Sequence, residues 1–405
     1  MNRDYQAMKT PLHCTPKRVR MLNLFALAAA LCAVPALAQE TEFRIGGIGT
    51  FSGPFGVMGE SMRKGAELAA EMRGRKVLGA PVKFIWEDDE TKPQVAVQKA
   101  TRMVSAQSHL LFAPVASGAT LAVMKVAERA QTPLLVTMSA ADDITAKEGN
   151  PYTFRTSNSI DMEMRMLDRF AAHSEFKKVF TVASDAGASR DAEAKFRAML
   201  QARSATVVGQ EFPAIGTRDF SIIINKILQS DAEAVALFVS GSDMITLLKQ
   251  GEQFKLQEKK KLFGTTTMDE SIAKAVGSGS SGVYSTLRYH FSIDNPANKA
   301  FVAAYQAKYN DVPDQYAGEA FDGMAWFLDV IDATKSWDKA VWVKSLKTSA
   351  RPNSVEGAKK MRSCDQQAEQ SGYFGRAVAA TPPMPPVVMQ VTNTFSAAEL
   401  FTACR

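Results

Sequence analysis

The sequence predicts an α/β protein of two doubly wound parallel-sheet lobes. Three observations carry that expectation. Short apolar segments alternate with longer helical ones along most of the chain, the pattern of strands crossed over by helices. The alternation breaks once, at Asn150-Pro151-Tyr152-Thr153-Phe154-Arg155-Thr156, and then restarts. Each of the two runs is roughly 130 residues long, an ordinary domain size.

The first run opens on a strand at 44–48 and a helix at 59–72. Val82, Phe84 and Trp86 alternate with polar or intervening residues, as in a half-buried strand. A helix at 95–106, a strand at 110–115, a helix at 121–130 and a strand at 134–137 follow. After the break, a long helix at 161–173 leads into the second run. Its strands are expected at 179–183, 206–211, 234–239, 261–264 and 283–288, and its helices at 191–203, 220–229 and 243–254. The tail adds helices at 296–309, 316–334 and 337–349. It ends with a stiff proline-rich connector at 381–386 and a last strand at 387–391.

The chain has 405 residues, 46% hydrophobic and 22% charged, which excludes disordered, collagen-like and coiled-coil chains. A net charge of +6 invites a nucleic-acid or membrane-surface reading. The N-terminus changes that. Lys17, Arg18 and Arg20 precede an apolar stretch at 24–34, and Ala36-Leu37-Ala38 follows. This is the layout of a cleavable secretory signal over 1–38, with Met21 an alternative start. The apolar part is too short for a membrane span, and Leu31 before Cys32 does not suit lipid attachment. Cleavage after Ala38 leaves residues 39–405 with 43 basic and 41 acidic side chains, a net charge of +2. No nucleic-acid partner and no membrane insertion of the mature chain are expected. Cys14 and Cys32 leave with the signal. Cys364 and Cys404 remain, and in an oxidising compartment they are expected to form a disulfide worth about 3–4 kcal/mol; two buried free thiols are the alternative.

Signatures of catalysis are sparse. There is no P-loop, no His-Glu-x-x-His and no G-x-S-x-G elbow. His109, His173 and His290 are widely scattered. Gly277-Ser278-Gly279-Ser280-Ser281-Gly282 fits G-x-G-x-x-G, but a helix precedes it and a strand follows, the reverse of a dinucleotide fingerprint. It reads as a helix-to-strand turn, and Lys259-Lys260-Lys261 reads as a solvated face. No enzyme activity, cofactor or metal is expected.

Ligands of open parallel sheets bind at the C-terminal ends of the strands. Three loops there stand out in the first run: Thr50-Phe51-Ser52-Gly53-Pro54-Phe55-Gly56, Ser117-Gly118-Ala119-Thr120 and Ser139-Ala140-Ala141-Asp142. Small hydroxyl residues beside free N–H groups at a helix start suit a carboxylate; ordinary helix capping is the alternative for any one of them. The second run offers Ser184-Asp185-Ala186-Gly187, Ser240-Gly241-Ser242-Asp243 and Thr265-Thr266-Thr267-Met268-Asp269. Two such lobes face to face would hold a small molecule between them.

Ile45-Gly46 with Ser52-Gly53-Pro54, Gly65-Ala66-Glu67-Leu68-Ala69, Tyr152-Thr153-Phe154-Arg155-Thr156 and Asp219-Phe220-Ser221 occur in order along the chain. Gly282-Val283-Tyr284-Ser285-Thr286, Phe301-Val302-Ala303-Ala304-Tyr305, and Tyr316-Ala317 with Phe321-Asp322-Gly323 follow. With these, from about Phe43 to Gly375, the chain resembles the periplasmic substrate-binding proteins of branched-chain amino-acid-type ABC transporters, the leucine/isoleucine/valine-binding family. The resemblance implies the type I periplasmic binding fold, with two lobes joined by a three-segment hinge. The lobes would be 39–157 with 287–374, and 158–286 with 375–405. The crossovers would fall at Phe154–Asn158, Leu287–His290 and near Tyr373–Ala377. The family's carboxylate-holding loops match Ser117 and Ser139-Ala140-Ala141, and its first-loop wall falls at Met58. Its two ammonium-binding positions fall near Gly241 and Thr266, so neither side chain is kept; Asp142, Asp185 and Asp269 are substitutes off register. The expected ligand-binding set is therefore Ser52, Met58, Ser117, Gly118, Ser139, Ala140, Ala141, Asp185, Gly241, Thr266 and Tyr316. The implied role is a periplasmic solute receptor for an inner-membrane ABC permease. The expected ligand is a small carboxylate-bearing solute, an aromatic or aliphatic acid in preference to an α-amino acid. A ligand sensor feeding a regulator, or an amide or urea-type solute, is the alternative.

Overall fold

The computed structural model describes residues 41–172, 176–381 and 385–402. The segment expected to be a signal, 1–38, together with His173, Cys404 and positions 382–384 of the connector, lies outside these residues.

Strand β1 (Phe43–Gly49) leads through a 3-10 turn at Gly53–Phe55 into α1 (Gly56–Met72). A hairpin, β2 (Lys76–Val77) and β3 (Ala80–Asp88), turns at Leu78 and Gly79, both at positive φ, which suits the right-handed strand twist. Then come α2 (Pro93–Ser105), β4 (Leu110–Phe112), α3 (Ser117–Arg129), β5 (Leu134–Val136) and β6 (Thr153–Arg155). They form one sheet in the order β2-β3-β1-β4-β5-β6, parallel except for the hairpin. The segment that breaks the sequence rhythm thus contributes this sheet's last strand.

Helix α4 (Ile160–Ala172) opens the second run: β7 (Lys178–Ala183), α5 (Gly187–Ala202), β8 (Thr206–Glu211), α6 (Ser221–Gln229), β9 (Ala234–Phe238), α7 (Gly241–Gln253), α8 (Leu256–Lys259), β10 (Lys261–Thr265), α9 (Glu270–Val276) and β11 (Tyr284–Leu287). Helices α10 (Pro296–Tyr309), α11 (Gln315–Thr334) and α12 (Lys339–Lys347) return to the first sheet. A small sheet of β12 (Ala350–Arg351), β13 (Lys359–Met361) and β14 (Ala368–Glu369) follows. Strands β15 (Gly372–Ala379) and β16 (Val387–Phe395) then join the second sheet, and α13 (Ala397–Leu400) ends the chain. The second sheet runs β16-β15-β11-β10-β9-β7-β8, in which β15 alone runs opposite, antiparallel to both β11 and β16. Its β9, Ala-Val-Ala-Leu-Phe, is buried along its whole length, as a central parallel strand covered on both faces must be.

Each sheet has a core on each face. Helices α1, α11 and α12 cover one face of the first sheet around Phe43, Phe154 and Trp326, and α2 and α3 cover the other around Met103 and Val123. The same division holds in the second sheet, around Leu237 and Leu247 on one side and Phe196 and Phe263 on the other. The architecture is the two-lobed, doubly wound α/β fold that the sequence predicts.

Several boundaries move for local reasons. The strand expected to reach 115 ends at Phe112, and α3 starts at Ser117, not 121. Pro114, between them, has no N–H to offer a neighbouring strand. Glycine-led Gly187 likewise starts α5 four residues ahead of expectation. The final strand extends to Phe395, paired with a strand, β15, that sequence reading did not foresee. Because Tyr373 and Phe374 pair with Leu287 and Thr286, the third passage between sheets falls ahead of Gly372. The first passage, 156–159, is tied to it: Gln367 Nε2 donates to Ser157 O at 2.8 Å and Gln370 Nε2 to Asn158 Oδ1 at 2.5 Å. Gly277–Ser280 is a short 3-10 turn between α9 and β11.

Candidate functional site

A cavity of about 670 Å³ lies between the strand-end loops of the two sheets. From the first sheet it is lined by Phe55, Met58, Thr91, Val115, Ser117, Gly118, Met138, Ala140, Ala141 and Asp142. From the second come Ile160, Glu163, Ala186, Gly187, Lys195, Phe238, Ser240, Thr265 and Thr266. Arg288 and Tyr316 complete it.

On the first wall, Ser117 is the first residue of α3, and the cap position is Ala116. Its hydroxyl is therefore no N-cap. It accepts a hydrogen bond from Ala141 N at 3.2 Å, joining the two loops singled out in the sequence. Ser139 sits behind the wall. Its hydroxyl is within 2.6 Å of Thr120 Oγ1 and donates toward Pro114 O and Val115 O, so it fixes the loop without facing the cavity. Arg155, fully buried at the end of β6, braces the same loop through Nη1 to Ala141 O at 2.6 Å and through Nη2 to Thr145 Oγ1 at 2.9 Å. Burial lowers its pKa to about 10.

At the rim, Lys195 of α5 forms an ion pair with Asp142 of the first lobe, and Asp142 Oδ1 accepts from Asp161 N at 3.0 Å. A methyl group on Gly241, at φ +65°, would lie 2.3 Å from Pro54 O, so the lobes touch there. Gly241 is thus a contact between lobes and not a lining residue. Ser52 is exposed outside the cavity. Asp185 also lies outside, held by Arg190 at 2.6 Å. Asp269 caps α9, accepting from Ile272 N at 2.9 Å. Of the three acids considered as ammonium substitutes, only Asp142 reaches the cavity, and it is paired with Lys195. Met58, Ser117, Gly118, Ala140, Ala141, Thr266 and Tyr316 do line it.

The floor holds charges that sequence reasoning missed. Arg288, 3% exposed, follows β11 at the second passage between sheets. Its Nε donates to Glu163 Oε1 at 2.8 Å and its Nη1 to Met138 O at 2.6 Å; Glu319 Oε2 lies 3.5 Å from Nη1. Burial pushes the carboxyls of Glu163 and Glu319 upward, Glu319 strongly, while the two carboxyls together hold Arg288 above its usual value. Tyr316 Oη is buried without a hydrogen-bond partner among the described residues, and burial raises its pKa. The signal available in the sequence was position: Arg288 falls in the expected second crossover.

His109 accepts from Arg44 N at 2.9 Å and stacks on Phe43, far in sequence from His290, which contacts Glu270, Ser292 and Met389 O. Among the described residues no group of three His, Cys, Asp or Glu could hold a metal ion, and no helix is long and apolar enough to cross a membrane.

Residues 42–382 match the periplasmic binding protein family. A Leu/Ile/Val-binding protein homolog 6 from Brucella suis biovar 1 is 30% identical over 328 residues, covering 78% of this chain and 82% of the relative. Among solved structures, a solute-binding protein of an ABC transporter from Rhodopseudomonas palustris BisB5, in complex with 3,4-dihydroxybenzoic acid, has a TM-score of 0.83 at 22% identity over 88% of this chain and 98% of that one. A leucine-binding protein from Thermotoga maritima has a TM-score of 0.78 at 19% identity, over 87% and 98%. These structures share the fold. The family match and the Brucella relative go further: the chain belongs to the periplasmic binding protein family, in its branched-chain amino-acid-type branch.

Proposed function

We propose that the protein is an exported solute receptor that captures a small carboxylate-bearing molecule, an aromatic or aliphatic acid, for an inner-membrane ABC importer. The observation that carries this reading is the first wall of the cavity. Ser117 and the start of α3 present a hydroxyl and backbone N–H groups beside the apolar surfaces of Phe55, Met58 and Phe238, and Ala141 N ties the Ala140-Ala141 loop to Ser117. A helix start of this kind favours negative charge. Of the acids at the rim, Asp142 is paired with Lys195 and Asp191 lies 3.6 Å from the same ammonium, while Asp143 is exposed. Relatives in complex with 3,4-dihydroxybenzoic acid and with p-hydroxybenzoic acid add support.

The first lobe, 39–157 with 287–374 in the sequence-based division, takes the acid, and the second closes on it. Such closure shifts only as far as the ligand prefers the closed form. The closed form is what the permease recognises; no chemical step is part of this role. The expected signal at 1–38 and the periplasmic binding protein family support export to the periplasm. Cys364 is expected to bridge Cys404; among the described residues, Arg362 Nη1 donates to Thr402 O at 3.0 Å. Thiol titration of the unfolded, unreduced mature protein should find no free thiol; two would remove the bridge.

The test of ligand class is a thermal-shift panel of benzoate, 4-hydroxybenzoate, short aliphatic acids and α-amino acids. Stabilisation by acids is expected. A response to L-leucine alone would overturn the acid reading.

A further inference from the structure

The cavity floor places one guanidinium between two carboxyls that are almost wholly buried. Glu163, on α4 of the second lobe, is 2% exposed, and Glu319, on α11 of the first, is 0% exposed. Both face Arg288, at 2.8 Å and 3.5 Å. Arg288 and Glu163 line the cavity, and Nη2 of Arg288 has no hydrogen bond among the described residues. Two carboxylates cannot both stay ionised against one cation in such a place, because an unpaired buried charge is costly.

We propose that Glu163 and Glu319 together act as an internal counter-ion to Arg288, which an anionic ligand replaces, so that binding takes up one proton from solution. The inference rests on the acid-receptor reading and deepens it by naming the specificity-determining charge and its regulation by pH. In the empty cavity the pair carries one negative charge, on Glu163, and balances Arg288. A ligand carboxylate beside Ala140, two residues from the Met138 carbonyl that Arg288 holds, brings a second negative charge to the same guanidinium. Glu163 then takes a proton, and the floor remains neutral. Burial already shifts its carboxyl upward, against the pull of Arg288.

The other charged or titratable groups facing this cluster do not supply the balance. Arg155 of β6 is committed to Gln367, Ala141 O and Thr145. Asp142 is paired with Lys195. Behind Glu319, Lys359 lies 2.8 Å from Glu356 and 3.2 Å from Asp322, which also binds Arg351. Tyr316 is held neutral by burial; beside it Asp269 accepts from Ile272 N, and Asp314, raised to about 7 by burial, accepts from Ser61 Oγ and Ala317 N. A ligand with no net charge gains nothing from the exchange, so the device favours acids over their amides and over zwitterions.

Isothermal titration of the wild-type protein with benzoate at pH 7.5, in phosphate and in Tris, reads the proton directly from the difference in enthalpy between buffers. About one proton taken up per benzoate is expected, with affinity falling about tenfold per pH unit above the carboxyl's own titration. The E163Q/E319Q variant should bind benzoate with no buffer dependence and a flat pH profile. Benzoate binding without proton uptake in the wild type, or with unchanged uptake in the double variant, overturns the inference and leaves the acid reading standing. If no acid binds and L-leucine does, the acid reading itself fails. Carboxyl carbon NMR titration of the unliganded wild type decides the charge state independently of any ligand. One ionised and one protonated carboxyl at pH 7 is expected; two ionised carboxylates overturn the proposal.

Discussion

At the scale of single residues, the molecule holds acids where burial works against charge. Asp89, in the loop after β3, accepts from Thr91 N at 2.9 Å through Oδ1, but its Oδ2 is buried without a partner. Burial raises its pKa to about 6. A carboxyl bound more tightly to its proton in the folded state than in the unfolded state loses stability as pH rises from about 4 to 6, and the penalty persists above that range. Asp89→Asn keeps the Oδ1 acceptor and removes the charge. It should raise the melting temperature at pH 7.5, by up to about 3 kcal/mol in stability, and change little at pH 4. Melting curves across that range check it; a loss of stability at pH 7.5 would mean the charge is compensated. Ser117→Ala removes a cavity hydroxyl. It should weaken a carboxylate ligand by about 1–3 kcal/mol, measured by titration; unchanged affinity would remove Ser117 from the site. Ser117, Ala140 and Ala141 were legible in the sequence because strand-end position alone marks them. Arg288 with Glu163 was not, since the partners lie 125 residues apart and meet only in the folded cavity. Ser139 shows the complementary failure: its position in the loop was read correctly, but the direction of its hydroxyl depends on Thr120 and Pro114.

At the scale of elements, α1 and α11 form the tightest helix pair of the first lobe. A methyl group on Gly65 would lie 2.1 Å from Ala317 O, and Ser61 Oγ donates to Asp314 Oδ2, the cap of α11, at 2.6 Å. Backbone cannot yield as a side-chain end can, so Gly65→Ala should cost about 1–3 kcal/mol by overpacking, in spite of alanine's better helix propensity. Chemical denaturation checks this, and an unchanged midpoint would show that the helices can slide apart. Elements bounded by strong local signals were legible: α10, opened by the Asn295 cap and Pro296, occupies the expected 296–309, and strand β8 the expected 206–211. Elements whose pairing is non-local were not. β15 carries Gly372, Gly375 and Arg376 within eight residues and is a strand because β11 and β16 flank it. The short strands β12 to β14 pair only with one another, and two or three residues carry no periodicity to read.

At the scale of the whole molecule, the two sheets meet through three chain passages and a small set of contacts across the cleft. The ion pair of Lys195 with Asp142 spans one rim, Lys274 with Asp311 at 2.7 Å spans another, and Gly241 lies against Pro54. These contacts bring the two rims together, and they leave no room for a side chain at 241. Gly241→Val puts branched carbons where Pro54 O already lies 2.3 Å from a single methyl position, and it also requires φ near +65°, which β-branched residues resist. The lobes keep their own cores, so the substitution acts mainly on closure. An acid ligand should bind about tenfold or more weakly, since 1.4 kcal/mol of lost closure is a factor of ten. Small-angle scattering with saturating ligand should find the variant more extended than the wild type. Gly187→Ala is the control: Gly187 also starts a helix facing the cavity, yet a methyl group there meets nothing within 4 Å. It should bind and close as the wild type does. Equal affinity and equal dimensions for Gly241→Val and Gly187→Ala would show that the contact at Pro54 plays no part in closing the cleft.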